Sequence, residues 1–154
     1  MKIIGIDPGI TGTGYSLVAD GTCIDIGTIR AKGTDPHSKV LEICTRIKQI
    51  VDQQQPEFAA LEKVFYHKNI KTLIRASELR GAIILALLES GVAIKEYTAT
   101  EIKLTTTGNG RASKEQVRYF IERVFADRKQ GESSHAIDAA AIAYTAIQKM
   151  SRRV

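Results

Sequence analysis

Asp20-Gly21 constrains the fold more than any other pair of residues in the chain. An Asp-Gly link between two β-rich runs calls for positive φ at both positions, the geometry of a tight hairpin. Residues 14–19 and 22–30 are therefore expected as antiparallel neighbours, the second carrying Ile24, Ile26 and Ile29 as candidate inward residues. Residues 1–7 form another β-rich run, ending at the turn signal Asp7-Pro8-Gly9. After this meander the pattern alternates. Asp35 or Ser38 caps a helix reaching about Gln54, with Val40, Cys44, Ile47 and Val51 at helical spacing. Residues 58–64 read as a central strand, 70–90 as a long helix stopped by Gly91, and 92–97 as a fifth strand. A short helix over 98–104 follows. Ser113, with Gln116 three residues on, opens another helix. The last helix is capped by Ser133 or Ser134 and runs to about Lys149. A meander followed by βαβ units predicts an α/β protein with a mixed five-stranded sheet flanked by helices.

The chain has 154 residues, of which 44% are hydrophobic and 25% charged. That is globular usage and argues against disorder. The length predicts a single domain over residues 1–154 and leaves no room for two related domains closing on a ligand. No apolar run approaches the roughly 18 residues of a membrane span. The first residues reach a carboxylate too early for a secretory signal, so a cytoplasmic protein without membrane contact is expected. Cys23 and Cys44 lack metal-like spacing and read as reduced core residues.

Basic residues outnumber acidic ones by 22 to 17, a net charge of +5. Such an excess suits a polyanionic partner. Its placement says more than its size. Lys63, His67, Lys68, Lys71, Arg75 and Arg80 form one group, and Lys103, Arg111, Lys114 and Arg118 a second. For any single lysine among them, a solvated helix face is the better reading.

Two carboxylates interrupt apolar runs. Asp7 ends the first strand, and Glu62 lies in Ala60-Leu61-Glu62-Lys63-Val64. A buried carboxylate needs an ion pair, hydrogen bonds or a cation, and adjacent strands would bring these two together. His135 and Asp138 stand three residues apart on one face of the last helix. That face continues as Ala139, Ile142, Ala143 and Ala146, a core stripe, which aims the pair inward. The plainer alternative is a first-turn dipole residue beside a surface histidine. Together these three carboxylates and one imidazole make a hard-cation site suited to Mg²⁺ or Mn²⁺. Phe65, in polar surroundings, is a candidate for stacking on bases, or else a core aromatic at a strand end. Gly108-Asn109-Gly110 reads as a turn or as a flexible DNA-contacting loop. The helix over 70–90 carries Ile70, Leu73, Ile74 and Ser77 on one face, then becomes apolar all round from Ala82 to Leu88. A sheet covers one side only, so this helix is either wholly internal or shared with a second subunit.

The motifs Gly5-Ile6-Asp7-Pro8-Gly9, Leu61-Glu62-Lys63-Val64-Phe65, Gly108-Asn109-Gly110 with Lys114, and His135-Ala136-Ile137-Asp138-Ala139-Ala140 occur in an order that resembles the RuvC Holliday-junction resolvases. The similarity spans nearly the whole chain. It implies an RNase H-like fold, a homodimer and metal-dependent resolution of four-way DNA junctions by paired nicks, each leaving a 5′-phosphate and a 3′-hydroxyl. It puts Asp7, Glu62, His135 and Asp138 on the catalytic metal-ligand positions, holding two Mg²⁺ ions, with Mn²⁺ as a substitute. Many members of the family carry aspartate where this chain has His135. Phe65 falls on the aromatic that stacks at the junction centre. Lys103 and Lys114 match basic positions implicated in DNA binding and catalysis, and Lys68 and Arg111 join them as DNA-contact candidates. The short sequence after the last helix suits a compact bacterial or phage member, and leaves a branch-migration complex as an open question. Two other functions are compatible with parts of the pattern. A module that binds branched DNA without cutting shares the basic groups but gives no reason for the four ligands. An RNase H-like nuclease could also act on another nucleic acid.

Overall fold

The computed structural model describes residues 1–64, 69–126 and 132–151. Its elements are β1 (Lys2–Asp7), β2 (Thr13–Ala19), β3 (Thr22–Ile29), α1 (Pro36–Gln54), β4 (Phe58–Glu62), α2 (Ile70–Glu89), β5 (Ala93–Tyr97), α3 (Ala99–Thr107), α4 (Lys114–Val124) and α5 (Ser134–Ser151). The strands form one sheet in the order β3-β2-β1-β4-β5. β2 runs antiparallel to both β1 and β3, while β4 pairs parallel with β1 and β5 parallel with β4. This is the expected mixed five-stranded sheet.

The hairpin forms as its residues require. Asp20 and Gly21 have φ of 49° and 84°, both in the left-handed region. One inward candidate of β3 does not face the core. Val18 pairs with Cys23 and Leu17 with Asp25, so Ile24 is the extra residue of a bulge. It is 47% exposed, whereas Ile29 is buried.

Each face of the sheet carries a core. On one, Ile4, Ile6, Leu17 and Leu61 meet Ile43 and Ile47 of α1 and Leu79, Ile83 and Leu87 of α2. On the other, Ile3, Val18 and Ala60 meet the alanine-rich stripe of α5, with Val117 and Ile121 of α4 behind it. The alanines have a steric reason. A Cβ added to Gly5 would lie 2.2 Å from the Ala139 carbonyl oxygen, and one on Gly14 would lie 1.9 Å from that of His135. Glycine on the strands and alanine on the helix bring α5 unusually close to β1 and β2.

Helix ends follow local chemistry. Asp35 caps α1, accepting from His37 and Ser38. Ser113 and Gln116 form the expected capping box on α4, and Thr98 and Glu101 form a second on α3. Residues 108–110 form a hydrogen-bonded turn. Gly108 closes α3 with φ 77°, and the Asn109 side chain accepts from the Arg111 N–H. α2 is not wholly internal. Leu79, Ile83, Ala86 and Leu87 are buried, while Ile70, Ile74, Leu85 and Leu88 remain more than half exposed. Cys23 and Cys44 are partly buried, each packed against one of the two cores. Among the described residues, no helix is long and apolar enough to cross a membrane.

Candidate active site

The site lies where parallel strands end. β1 and β4 pair in register through Ile6 and Leu61. Asp7 and Glu62, each one residue further on, are therefore side by side at the carboxyl edge of the sheet. That edge is where open α/β sheets place their ligands. The first turn of α5 lies over it, pressed down by the Gly14 contact.

Four side chains converge there as two pairs. His135 Nδ1 is 2.8 Å from Asp7 Oδ2, and Lys114 Nζ is 3.5 Å from Asp138 Oδ2. Burial pushes the Asp7 carboxyl above the usual carboxylate range. The hydrogen bond from His135 opposes this, and the charge of Asp138 adds to it. Burial also raises Glu62, with the charges of Asp7 and Asp138 reinforcing it and Lys114 and Lys103 pulling it back. These groups thus sense one another across a single site. Among the described residues, no three acidic, histidine or cysteine side chains close round a common metal-sized point. In this structure His135 hydrogen-bonds Asp7, and Lys114 pairs with Asp138.

The surrounding shell is held by main-chain and hydroxyl contacts. In the Pro8–Gly12 turn, Thr13 Oγ1 donates to the Gly9 carbonyl and accepts from the Gly9 N–H. The would-be Cβ positions of Gly9 and Gly12 lie 3.2 and 3.5 Å from the His135 ring, so this turn cradles the imidazole. Ser133 Oγ accepts from the Ala136 N–H and is hydrogen-bonded to Thr28 Oγ1 of the edge strand. Thr28 thereby ties β3 to the turn that carries His135.

A cleft of about 180 Å³ opens beside the carboxylates, lined by Glu62, Asp138, Lys103 and Lys114 among others. Lys114 is 82% exposed and sits at the first position of α4. A cation there opposes the helix dipole, which makes it a poor choice for helix stability and a good one for meeting an anion. Arg111 is exposed on the neighbouring turn and does not line this cleft. Phe65 and Lys68 lie outside the described residues.

The structure therefore brings Asp7, Glu62, His135, Asp138, Lys103 and Lys114 together. Sequence reasoning missed Thr28, because a threonine in a strand carries no signal of a partner 105 residues away. It also passed over Gly5 and Gly14, although glycines inside strands do signal close backbone approach.

A family model described as "Crossover junction endodeoxyribonuclease RuvC" matches residues 3–146. The RuvC protein of Treponema denticola is 33% identical over 153 residues, covering 94% of this chain and 84% of its own. That of Aliarcobacter butzleri is 34% identical over 154 residues, covering 97% of this chain and all of its own. Among solved structures, T. thermophilus RuvC in complex with Holliday junction substrate aligns with a TM-score of 0.90 at 26% identity, covering 99% of this chain and 96% of that one. The yeast mitochondrial Holliday junction resolvase Ydc2 shares the fold at a TM-score of 0.64 and 14% identity, over 98% of this chain and 81% of its own.

Proposed function

This chain belongs to the RuvC family of crossover junction endodeoxyribonucleases, and from that footing we propose that it resolves four-way DNA junctions by paired symmetric nicks during recombination and repair. The fold is RNase H-like. One observation carries the reading. Parallel pairing of β1 with β4 sets Asp7 beside Glu62, under a helix turn that supplies His135 and Asp138. A module that only binds DNA has no use for carboxylates held against their own burial.

The donor set fits a hard divalent cation. Three carboxylates and an imidazole are oxygen-rich ligands, and two of the carboxylates are pushed up by burial and like charge, which a cation reverses. Asp7, Glu62, His135 and Asp138 would hold Mg²⁺ or Mn²⁺, two ions per site. When bound, the ions lower the pKa of water and stabilise the charge developing on the phosphate. The protein groups do the rest. Lys103 and Lys114 meet the phosphate in the cleft. His135, held by Asp7 through Nδ1, has a second ring nitrogen available for a ligand bond or a proton. The nick leaves a 5′-phosphate and a 3′-hydroxyl. Phe65 stacks at the junction centre, and Lys68 and Arg111 are further DNA contacts.

Two symmetric nicks call for two sites. The stripe Ile70, Ile74, Gly81, Leu85 and Leu88 runs along the outer face of α2, and nothing lies within 4 Å of a Cβ added at Gly81. This is a surface suited to close pairing with a second copy about a two-fold axis. Leu88→Glu should give a monomer by sedimentation. Residues 1–154 act as one nuclease domain, supported by both core layers packing on one sheet. The expected setting is the bacterial cytoplasm or a phage-infected cell, with a branch-migration complex as the natural companion.

A cleavage panel of four-way junction, flap, duplex and RNA tests the reading. Paired nicks in the junction alone, requiring Mg²⁺ or Mn²⁺, with junction binding intact under chelation, are expected. Binding without cutting in any metal would leave a recognition module, and preferential RNA cleavage would overturn the substrate.

A further inference from the structure

The active-site edge continues, on the side away from Lys103 and Lys114, into a groove of about 750 Å³ between the end of β3 and α1. Three cationic side chains line it: Arg30, Lys32 and Arg46. All three are exposed, and among the described residues none is in an ion pair. Arg46 makes only a neutral hydrogen bond to Gln49. From these residues we infer that the groove is a second track for the DNA backbone, carrying the junction arm that leaves the active site past Thr28. This rests on the nuclease reading above and adds the path of the substrate beyond the reacting phosphate.

Three features support it. The first is continuity. Thr28 lines the groove and is bonded to Ser133, two residues before His135, and both Thr28 and His135 border Gly12. The groove therefore begins at a residue bonded to the turn that carries His135. The second is that the rim is built in advance. Glu42 accepts from the backbone N–H of Lys32, through both oxygens at 3.0 and 2.9 Å, and from that of Gly33 at 3.0 Å. Those backbone bonds hold the Glu42 carboxyl below its ordinary range. The acidic residue in the groove is thus spent on fixing the loop that presents Lys32. A Cβ on Gly33 would lie 2.6 Å from Ser38 Oγ, so the loop also lies tight against α1. The third is the sign of the remaining charge. At the inner end Tyr15 is raised first by burial, with Asp25 and Glu132 adding to this and Arg46 opposing it. The outer stretch, from Arg30 to Arg46, is left positive. A polar, cationic and elongated groove matches a phosphate backbone better than a protein or a small apolar ligand.

The test is the salt dependence of binding to a four-way junction under chelation, where no cutting occurs. Each phosphate no longer neutralised should reduce the slope of log K against log salt by about 0.9. The triple variant Arg30→Gln, Lys32→Gln, Arg46→Gln should lose about 2 to 3 units of slope per bound subunit and bind roughly 10²- to 10³-fold more weakly at about 0.1 M salt. The charge-conserving triple Arg30→Lys, Lys32→Arg, Arg46→Lys should keep the slope, which distinguishes removal of charge from damage to the fold. An unchanged slope in the glutamine triple overturns the track. An equal loss of slope on neutralising Lys48, Lys95 and Arg123, none of which lines the groove, overturns it too. Failure of the unmodified protein to bind junctions at all would overturn the nuclease reading, and the track with it.

Discussion

Two acidic centres of the molecule are treated in opposite ways. Glu101 opens α3, accepting from the Thr98 N–H at 2.9 Å and from Lys149 at 3.0 Å. The Thr98 N–H, then Lys149, lower its pKa to about 2. Asp7 and Glu62 are raised instead, first by burial. Glu101 is ionised because the fold wants it so. The fold disfavours the charged forms of Asp7 and Glu62, by burial and by like charge. A carboxylate that costs stability is kept for chemistry, and one that lowers the energy of a helix end is architecture.

The largest effect expected from this contrast is at Asp7. Asp7→Asn should reduce junction cleavage by roughly 10³-fold or more while sparing junction binding. It should also make the metal-free protein more stable at neutral pH. The raised pKa fixes the sign. The folded state holds the proton more tightly than the unfolded chain, so the relative stability of wild type is greatest at low pH and is lost as pH rises through the raised value. The advantage of Asp7→Asn should therefore vanish on acidification, which urea unfolding across pH 3–8 would read. Normal cutting by Asp7→Asn would mean that the site is misassigned.

Next comes His135. His135→Ala should cost about 10- to 100-fold in cleavage, whereas His135→Asp should retain most activity, since either side chain can ligate from the first turn of α5. An inactive but folded His135→Asp would instead point to proton transfer by the imidazole.

A smaller effect is expected at Thr28, whose hydroxyl anchors Ser133 and so the turn bearing His135. Thr28→Val keeps the shape and removes one hydrogen bond worth about 1 kcal/mol. A severalfold fall in cleavage rate with unchanged junction affinity is expected, restored by Thr28→Ser. Equal rates for valine and threonine would release β3 from any part in positioning the site.

The smallest effect on cleavage belongs to the other side of the comparison. Glu101→Ala should leave the rate unchanged and lower stability by about 1 kcal/mol, the usual worth of a capping contact. Here the sign reverses. The contribution is present above the ordinary glutamate value and fades as pH falls toward about 2. A cleavage defect in Glu101→Ala at matched stability would erase the distinction between the two centres.

What could be read in the amino-acid sequence was whatever depends on a few neighbouring residues. Asp20-Gly21 makes its turn because only certain residues tolerate positive φ. Ser113 with Gln116 starts a helix because both partners lie within one turn. Ala139, Ile142, Ala143 and Ala146 face inward because 3.6-residue spacing keeps them on one side. The order of elements, the five strands and the residue types at the site all follow from such short-range rules. Tertiary structure decided the rest. It set Asp7 beside Glu62 by pairing β1 with β4 across the whole of β2, β3 and α1. It turned Ile24 outward through a bulge, joined Thr28 to Ser133, and left the α2 stripe bare. Each of these rests on contacts between segments far apart in the chain. Such contacts are chosen by burying both faces of one sheet at once, and no local window of sequence records that competition.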